Sequence, residues 1–204
     1  SRWPRFSEGE LEELCRVLRE EQLGGGDAPQ VAALEAEWVQ RTGVENCLAV
    51  GAGTDALHIA LWAAGVGPGD EVLVPAYTFL SGALVVLHRG AVPVFVDVQR
   101  DSYNMDPAQI ERHITPRTRA IIPCHLHGLP ADMDEINVIV QRHGIAVIED
   151  AAHAPGAVYR GRPVGSLGDA AAFSINMMKN LPAGEAGIFT TRHRQFLERV
   201  DGLW

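Results

Sequence analysis

The chain has 204 residues, 47% of them hydrophobic, which is enough to bury one substantial core. Its net charge is −9 and it has no basic run, so nucleic acid and anionic membranes, which both select clustered positive charge, are excluded as expected partners. No apolar stretch nears the roughly 18 residues of a membrane span, and the N-terminus has no signal-peptide core. The three cysteines (Cys15, Cys47, Cys124) lack Cys-x-x-Cys spacing, which suits reduced thiols in the cytoplasm.

Residues 7–22 open on a serine cap and place Leu11, Leu14, Val17 and Leu18 at helical spacing. Gly24-Gly-Gly26 breaks the pattern, and a second helix over 28–43 presents Val31, Leu34 and Trp38 on one face. Five β-rich runs follow, at 47–50, 71–74, 93–98, 120–123 and 145–149. Helical segments at 55–65, 80–89, 107–113 and 131–143 separate them. Strand and helix alternating through short turns predict a mostly parallel sheet covered by helices. Beyond residue 150 the spacing predicts a hairpin around Gly161, strands at 170–174 and 187–191, and a last helix from about Arg192 to the end of the chain.

Only one of the seventeen basic residues is a lysine, Lys179; the rest are arginines. Apolar residues and glycines surround it. A codon bias that spared one surface lysine gives that pattern, and so does a reactive amine. Lysine alone forms a Schiff base with an aldehyde, and an apolar pocket favours its neutral, nucleophilic form.

Several other places bear on the same choice. Gly51-Ala-Gly53-Thr54-Asp55 follows a strand and opens a helix, either as a tight turn capped by Thr54 or Asp55, or as a backbone cradle for a phosphate. It is neither a dinucleotide fingerprint nor a P-loop. Asp150 ends a buried strand at the carboxyl end, where open α/β sheets bind ligands, and Glu149 precedes it. A buried Asp needs a cationic or donor partner, such as an arginine or a pyridinium N–H. His153 is a donor to a phenolate oxygen or a satisfied core histidine. Phe79 stacks on a flat ring or packs in the core. Ser174 binds a phosphate or bonds its own backbone at a strand end. His125-x-His127 offers two nitrogens without a third metal ligand at matching spacing, so no metal is expected. Phosphate donors (Gly53, Thr54, Asp55, Ser174), an aromatic (Phe79), an acid (Asp150) and a lone amine (Lys179) are together what pyridoxal phosphate requires.

These motifs resemble those of the DegT/DnrJ/EryC1/StrS family of pyridoxal-phosphate aminotransferases. The likeness runs through Gly53-Thr-Asp-Ala-Leu, Gly67-Pro-Gly-Asp-Glu-Val-Leu-Val-Pro75, Thr78-Phe79, Gly90-Ala-Val-Pro-Val-Phe-Val-Asp97 and Ile114–Pro123. It continues through Ala131–Asp134, Glu149-Asp-Ala-Ala-His153 and Lys179-Asn-Leu. The resemblance implies the three-layer α/β large domain of fold type I, with residues 1–26 as an N-terminal helical arm, 27–204 as the cofactor-binding domain, and the C-terminal small domain absent or truncated. It implies a Schiff base at Lys179, with Asp150 on the ring nitrogen, Phe79 on the ring face and His153 near the 3′ oxygen. Ser174 with Gly53, Thr54 and Asp55 would hold the phosphate. The reaction implied is amino transfer from glutamate or glutamine to a keto-sugar or keto-cyclitol, in a homodimer or with a separate C-terminal half. The alternatives are a truncated domain that acts with a partner chain and a pyridoxal-phosphate-dependent sugar dehydratase. Where the family has Gly-Glu-Gly-Gly after the lysine, this chain has Gly184-Glu-Ala186-Gly, and a methyl strains any position that needs φ > 0.

Overall fold

Ser7 starts the first helix by a reciprocal cap. Its Oγ accepts from Glu10 N at 3.2 Å while the Glu10 carboxylate accepts from Ser7 N at 2.6 Å. In the computed structural model, which describes residues 6–20 and 28–201, this helix is α1 (Glu8–Arg19). Its stripe of Leu11, Leu14 and Leu18 is exposed. The Gly24–Gly26 break, the expected end of α1 at 21–22 and the last residues of the final helix lie outside the described residues.

Helix α2 (Pro29–Thr42) stops at Gly43, which takes the left-handed conformation (φ 71) that favours glycine. The alternation then follows as expected: β1 (Asn46–Val50), α3 (Gly53–Ala63), β2 (Glu71–Pro75), α4 (Ser81–His88), β3 (Val92–Val96), α5 (Pro107–Ile110), β4 (Thr118–Ile121), α6 (Met133–Gln141) and β5 (Ala146–Asp150). The expected helix over 107–113 is half α-helix and half 3-10 turn, with Asp106 Oδ1 accepting from Ala108 N at its start. A short hairpin, β6 (Val158–Tyr159) with β7 (Arg162–Pro163), turns through Arg160 and Gly161, both at positive φ. Strands β8 (Ala170–Ser174) and β9 (Gly187–Thr191) and helix α7 (Arg194–Asp201) complete the order.

Seven strands form one sheet in the order β1-β9-β8-β5-β4-β2-β3, and only β9 runs against its neighbours. Each face carries its own core. On one side Trp38 of α2 and Met133, Ile136 and Val140 of α6 pack on Val147, Phe173 and Ile188. On the other, Leu57 and Leu61 of α3, Val85 and Val86 of α4, and Phe196 and Val200 of α7 pack on Val74, Ile148 and Phe189. These are the three layers that strand–helix alternation demands, because a sheet apolar on both faces needs cover on both. Among the described residues no helix is long and apolar enough to cross a membrane.

Glu149 and Asp150 separate at the end of β5 because successive strand side chains point to opposite faces. Glu149 is fully buried and accepts from Gly165 N (2.9 Å), Leu167 N (2.7 Å) and Gly168 N (2.7 Å), and pairs with His125 Nε2 at 3.0 Å. It organises the segment that leads into β8. Glu149→Gln turns an amide N–H₂ toward these donors, and is expected to destabilise the fold by about 3 kcal/mol in urea unfolding. A loss within about 0.5 kcal/mol would mean that the network contributes little.

Candidate functional site

Strands β1, β2, β5 and β8 end at one edge of the sheet, and β9 begins there. A cavity of about 670 Å³ opens at that edge. Gly53, Thr54, Phe79, Asp150, His153, Ser174 and Lys179 all line it, although up to 126 residues of sequence separate them. Asp55 does not line it. Its carboxylate is exposed and turns back toward Gly51, where an added Cβ would sit 2.9 Å from Oδ2. What Asp55 can still offer an anion is its backbone N–H.

The start of α3 lies against the end of β8. Ala52 occupies the N-cap position and supplies no side-chain cap, so neither Thr54 nor Asp55 plays that part. The first helical bond is Ala56 N onto the Ala52 carbonyl (3.1 Å), so the N–H groups of Gly53, Thr54 and Asp55 have no partner within the helix. Such a helix start favours an anion. Two glycines permit the approach. A Cβ on Gly53 would meet Ser174 Cβ at 2.8 Å, and one on Gly187 would meet the Ala52 carbonyl atoms at 2.3 Å. Ser174 is buried, and its Oγ accepts from Asn176 N only at 3.5 Å, so the backbone claims it weakly. Ala186, the departure noted in the sequence, is not among the residues at positive φ and packs against the core, so its methyl is accommodated. The left-handed position is Gly184, at φ 89.

Asp150, at the end of β5, lines the same cavity. It is 3% exposed, and Ala152 N donates to its Oδ1 at 3.2 Å. The arginine ion pairs go elsewhere, Arg117 to Glu71 and Arg160 and Arg162 to Asp134. Burial pushes the Asp150 carboxyl above its ordinary range, opposed by the Ala152 N–H and by the charges of His153, His125 and Lys179. A buried carboxyl of this kind is stabilised by any further N–H donor that reaches it. Half-buried His153 is held below the usual imidazole range, first by burial and then by Lys179. Phe79 is 67% exposed at the cavity mouth, so it is not a core residue. Lys179 follows β8 in a loop closed by its own N–H onto the Asn176 carbonyl at 2.9 Å.

The lining also holds residues assigned no role in this site from sequence alone. Thr78 Oγ1 donates to Cys124 Sγ at 3.2 Å, and burial raises the Cys124 thiol well above its ordinary value. Asn176 Nδ2 donates to Glu185, and Asn176 Oδ1 accepts from Met178 N at 2.8 Å. Of the His125-x-His127 pair, His125 is spent inside the fold on Glu149, and only His127 reaches the cavity. Cys124 and His127 lie three and six residues beyond the end of β4, in the segment that leaves the sheet at the cavity, and that position is the signal that marks them.

The chain matches the DegT/DnrJ/EryC1/StrS aminotransferase family over residues 4–203. It is 50% identical over 175 residues to a UDP-N-acetyl-3-dehydro-alpha-D-glucosamine 3-aminotransferase of Acidithiobacillus ferrooxidans, covering 85% of this chain and 47% of that protein. The structure superposes on an aminotransferase from Psychrobacter cryohalolentis with a TM-score of 0.95 at 37% identity, covering 98% of this chain and 51% of the other. On NtdA from Bacillus subtilis with bound cofactor PMP the TM-score is 0.88 at 33% identity, covering 96% and 45%. The chain belongs to the DegT/DnrJ/EryC1/StrS aminotransferase family. It spans about half the length of the curated relatives it matches.

Proposed function

We propose that residues 27–204 are the pyridoxal-phosphate-binding domain of an aminotransferase, with residues 1–26 as an arm. The reaction is transfer of an amino group from glutamate or glutamine to a keto-sugar, often nucleotide-linked, or to a keto-cyclitol. The observation that carries this reading is that Asp150 and Lys179 open on one cavity, with the start of α3 on its rim. The relatives support it, since one is named for a UDP-keto-sugar reaction and another holds PMP.

When bound, the cofactor supplies an aldehyde to react with amines and a protonated ring that draws electrons from the bond being broken. The protein's own groups do the rest. Lys179 offers the amine that takes up the aldehyde, and afterwards moves a proton with the same nitrogen. Asp150 holds a proton at the ring nitrogen, because a buried carboxylate is stabilised most by a charged donor. The N–H groups of Gly53, Thr54 and Asp55 and the Ser174 hydroxyl bind the phosphate. Phe79 covers the ring face and keeps water from it. His153 donates to the ring oxygen.

Leu11, Leu14 and Leu18 on α1, Leu80 before α4, and Phe79 and Met178 at the cavity are exposed in this chain. Apolar surface of this extent favours cover by a second copy or by a further polypeptide segment, so the working form is an assembly such as a homodimer. The free thiols of Cys15, Cys47 and Cys124 suit the cytoplasm.

Mixing the protein with pyridoxal phosphate and reducing with borohydride tests the reading. A yellow colour and one modified peptide, carrying the label on Lys179, are expected, and Lys179→Ala should lose both. Label on another residue, or none, would sink the proposal.

A further inference from the structure

Residues 125–129, after β4, form a turn clamped from several sides. Leu126 N donates to Asn104 Oδ1 at 3.0 Å, and Asn104 Nδ2 donates to the Leu129 carbonyl at 2.9 Å. Ala131 N donates to His125 Nδ1 at 3.1 Å, and the other nitrogen of that ring meets Glu149. Asn104 and His125 are both buried. The clamp holds His127 at φ 54, in the left-handed region that side chains other than glycine's rarely adopt. In this conformation the His127 N–H donates to His153 Nδ1 at 3.3 Å. The two imidazole rings lie parallel, 5.7 Å apart and 7° from coplanar.

We infer that Asn104 and His127 are positioning residues for His153: through the turn they keep its Nδ1 as an acceptor, so that Nε2 carries the one ring proton of the neutral imidazole. A ring nitrogen that accepts a backbone N–H has no proton of its own to give. Burial and the charge of Lys179 keep the ring neutral, His127 adds to them, and Asp150 acts in the opposite sense. Resting on the function proposed above, Nε2–H is then the fixed donor that His153 offers the ring oxygen. The left-handed φ at His127 belongs to the same turn that presents this N–H to His153.

The test uses the protein labelled with ¹⁵N-histidine and without cofactor, His153 being assigned by comparison with His153→Gln. The wild type should show an unprotonated Nδ1 and a protonated Nε2 at neutral pH. Asn104→Ala frees the turn and breaks the N–H bond that favours neutral imidazole. The His153 titration midpoint then moves upward, by about three- to tenfold in proton affinity. Asn104→Asp keeps the acceptor for Leu126 and should restore most of the wild-type midpoint. Should Asn104→Ala not fold, His127→Val opens the same turn, because a β-branched residue resists positive φ. His127→Gly keeps the N–H and should leave Nδ1 unprotonated. A protonated Nδ1 in the wild type, or an unmoved midpoint in the variants that open the turn, overturns the inference. Failure to take up pyridoxal phosphate overturns the proposed function instead and leaves this result to the spectra.

Discussion

Asparagine in place of Asp150 is expected to raise the melting temperature of the cofactor-free protein and to weaken its binding of pyridoxal phosphate at least about a hundredfold. The two effects have one cause. In the folded chain burial raises this carboxyl above its unfolded value, so the folded state holds the extra proton more tightly. The stability from that group is fullest below the unfolded value and is lost as pH rises through the raised one. Asparagine removes the loss, so the gain over wild type should grow from acid toward neutral pH. Once a ring N–H sits against the carboxylate the balance reverses, because removing one partner of a buried charged pair costs about 3–5 kcal/mol. Thermal unfolding at several pH values, with spectroscopic titration of the cofactor, checks both halves. A variant that is less stable when empty, or that binds as well as wild type, would show that Asp150 is a structural residue.

Gly187→Ala is expected to destabilise the protein by about 3 kcal/mol or more and to abolish cofactor uptake. Its Cβ would stand 2.3 Å from the Ala52 carbonyl carbon and oxygen and 2.5 Å from Gly53 N, and backbone cannot swing aside as a flexible side chain can. Relief requires the start of α3 to lift from β8 and β9, which moves the N–H groups of Gly53 and Thr54 away from Ser174. Gly184→Ala is the useful contrast. Its Cβ meets nothing within 4 Å, so only its φ of 89 is penalised. Chemical denaturation with the absorbance of bound cofactor distinguishes them: Gly184→Ala should bind, more weakly folded, where Gly187→Ala does not. Equal behaviour of the two variants would mean that close approach at the start of α3 is not what the site requires.

Much of the site was legible because chemistry restricts residue type. A lone lysine among sixteen arginines, an acid ending an apolar strand and a glycine-rich strand-to-helix turn each stand out without coordinates. Asp55 was legible only as part of a run. Which members of the first turn of α3 face the cavity depends on helix phase and on the approach of β8, and the side chain of Asp55 turns away. Glu149 and Asp150 look alike in sequence. The two-residue period of a strand separates them into a buried organiser and a cavity acid. Cys124 was not singled out, Thr78 entered only as part of a motif and His127 only as half of a His-x-His pair, because an isolated thiol, hydroxyl or imidazole has no distinguishing local pattern. They matter through neighbours 26 to 46 residues away.

From the sequence by itself came the elements, their alternation and so the three layers, because periodicity and turn residues act over a few positions at a time. The acid Asp150 and the amine Lys179 were also there to be read, since few side chains do that chemistry. Tertiary structure alone decided the strand order, with β9 reversed between β1 and β8, and thereby brought residues 53, 150, 174 and 179 to one edge. It alone decided that Gly187 must lack a side chain and that His127 must adopt a left-handed backbone. Both follow from contacts between segments distant in the chain, and no local stretch of residues encodes such distances.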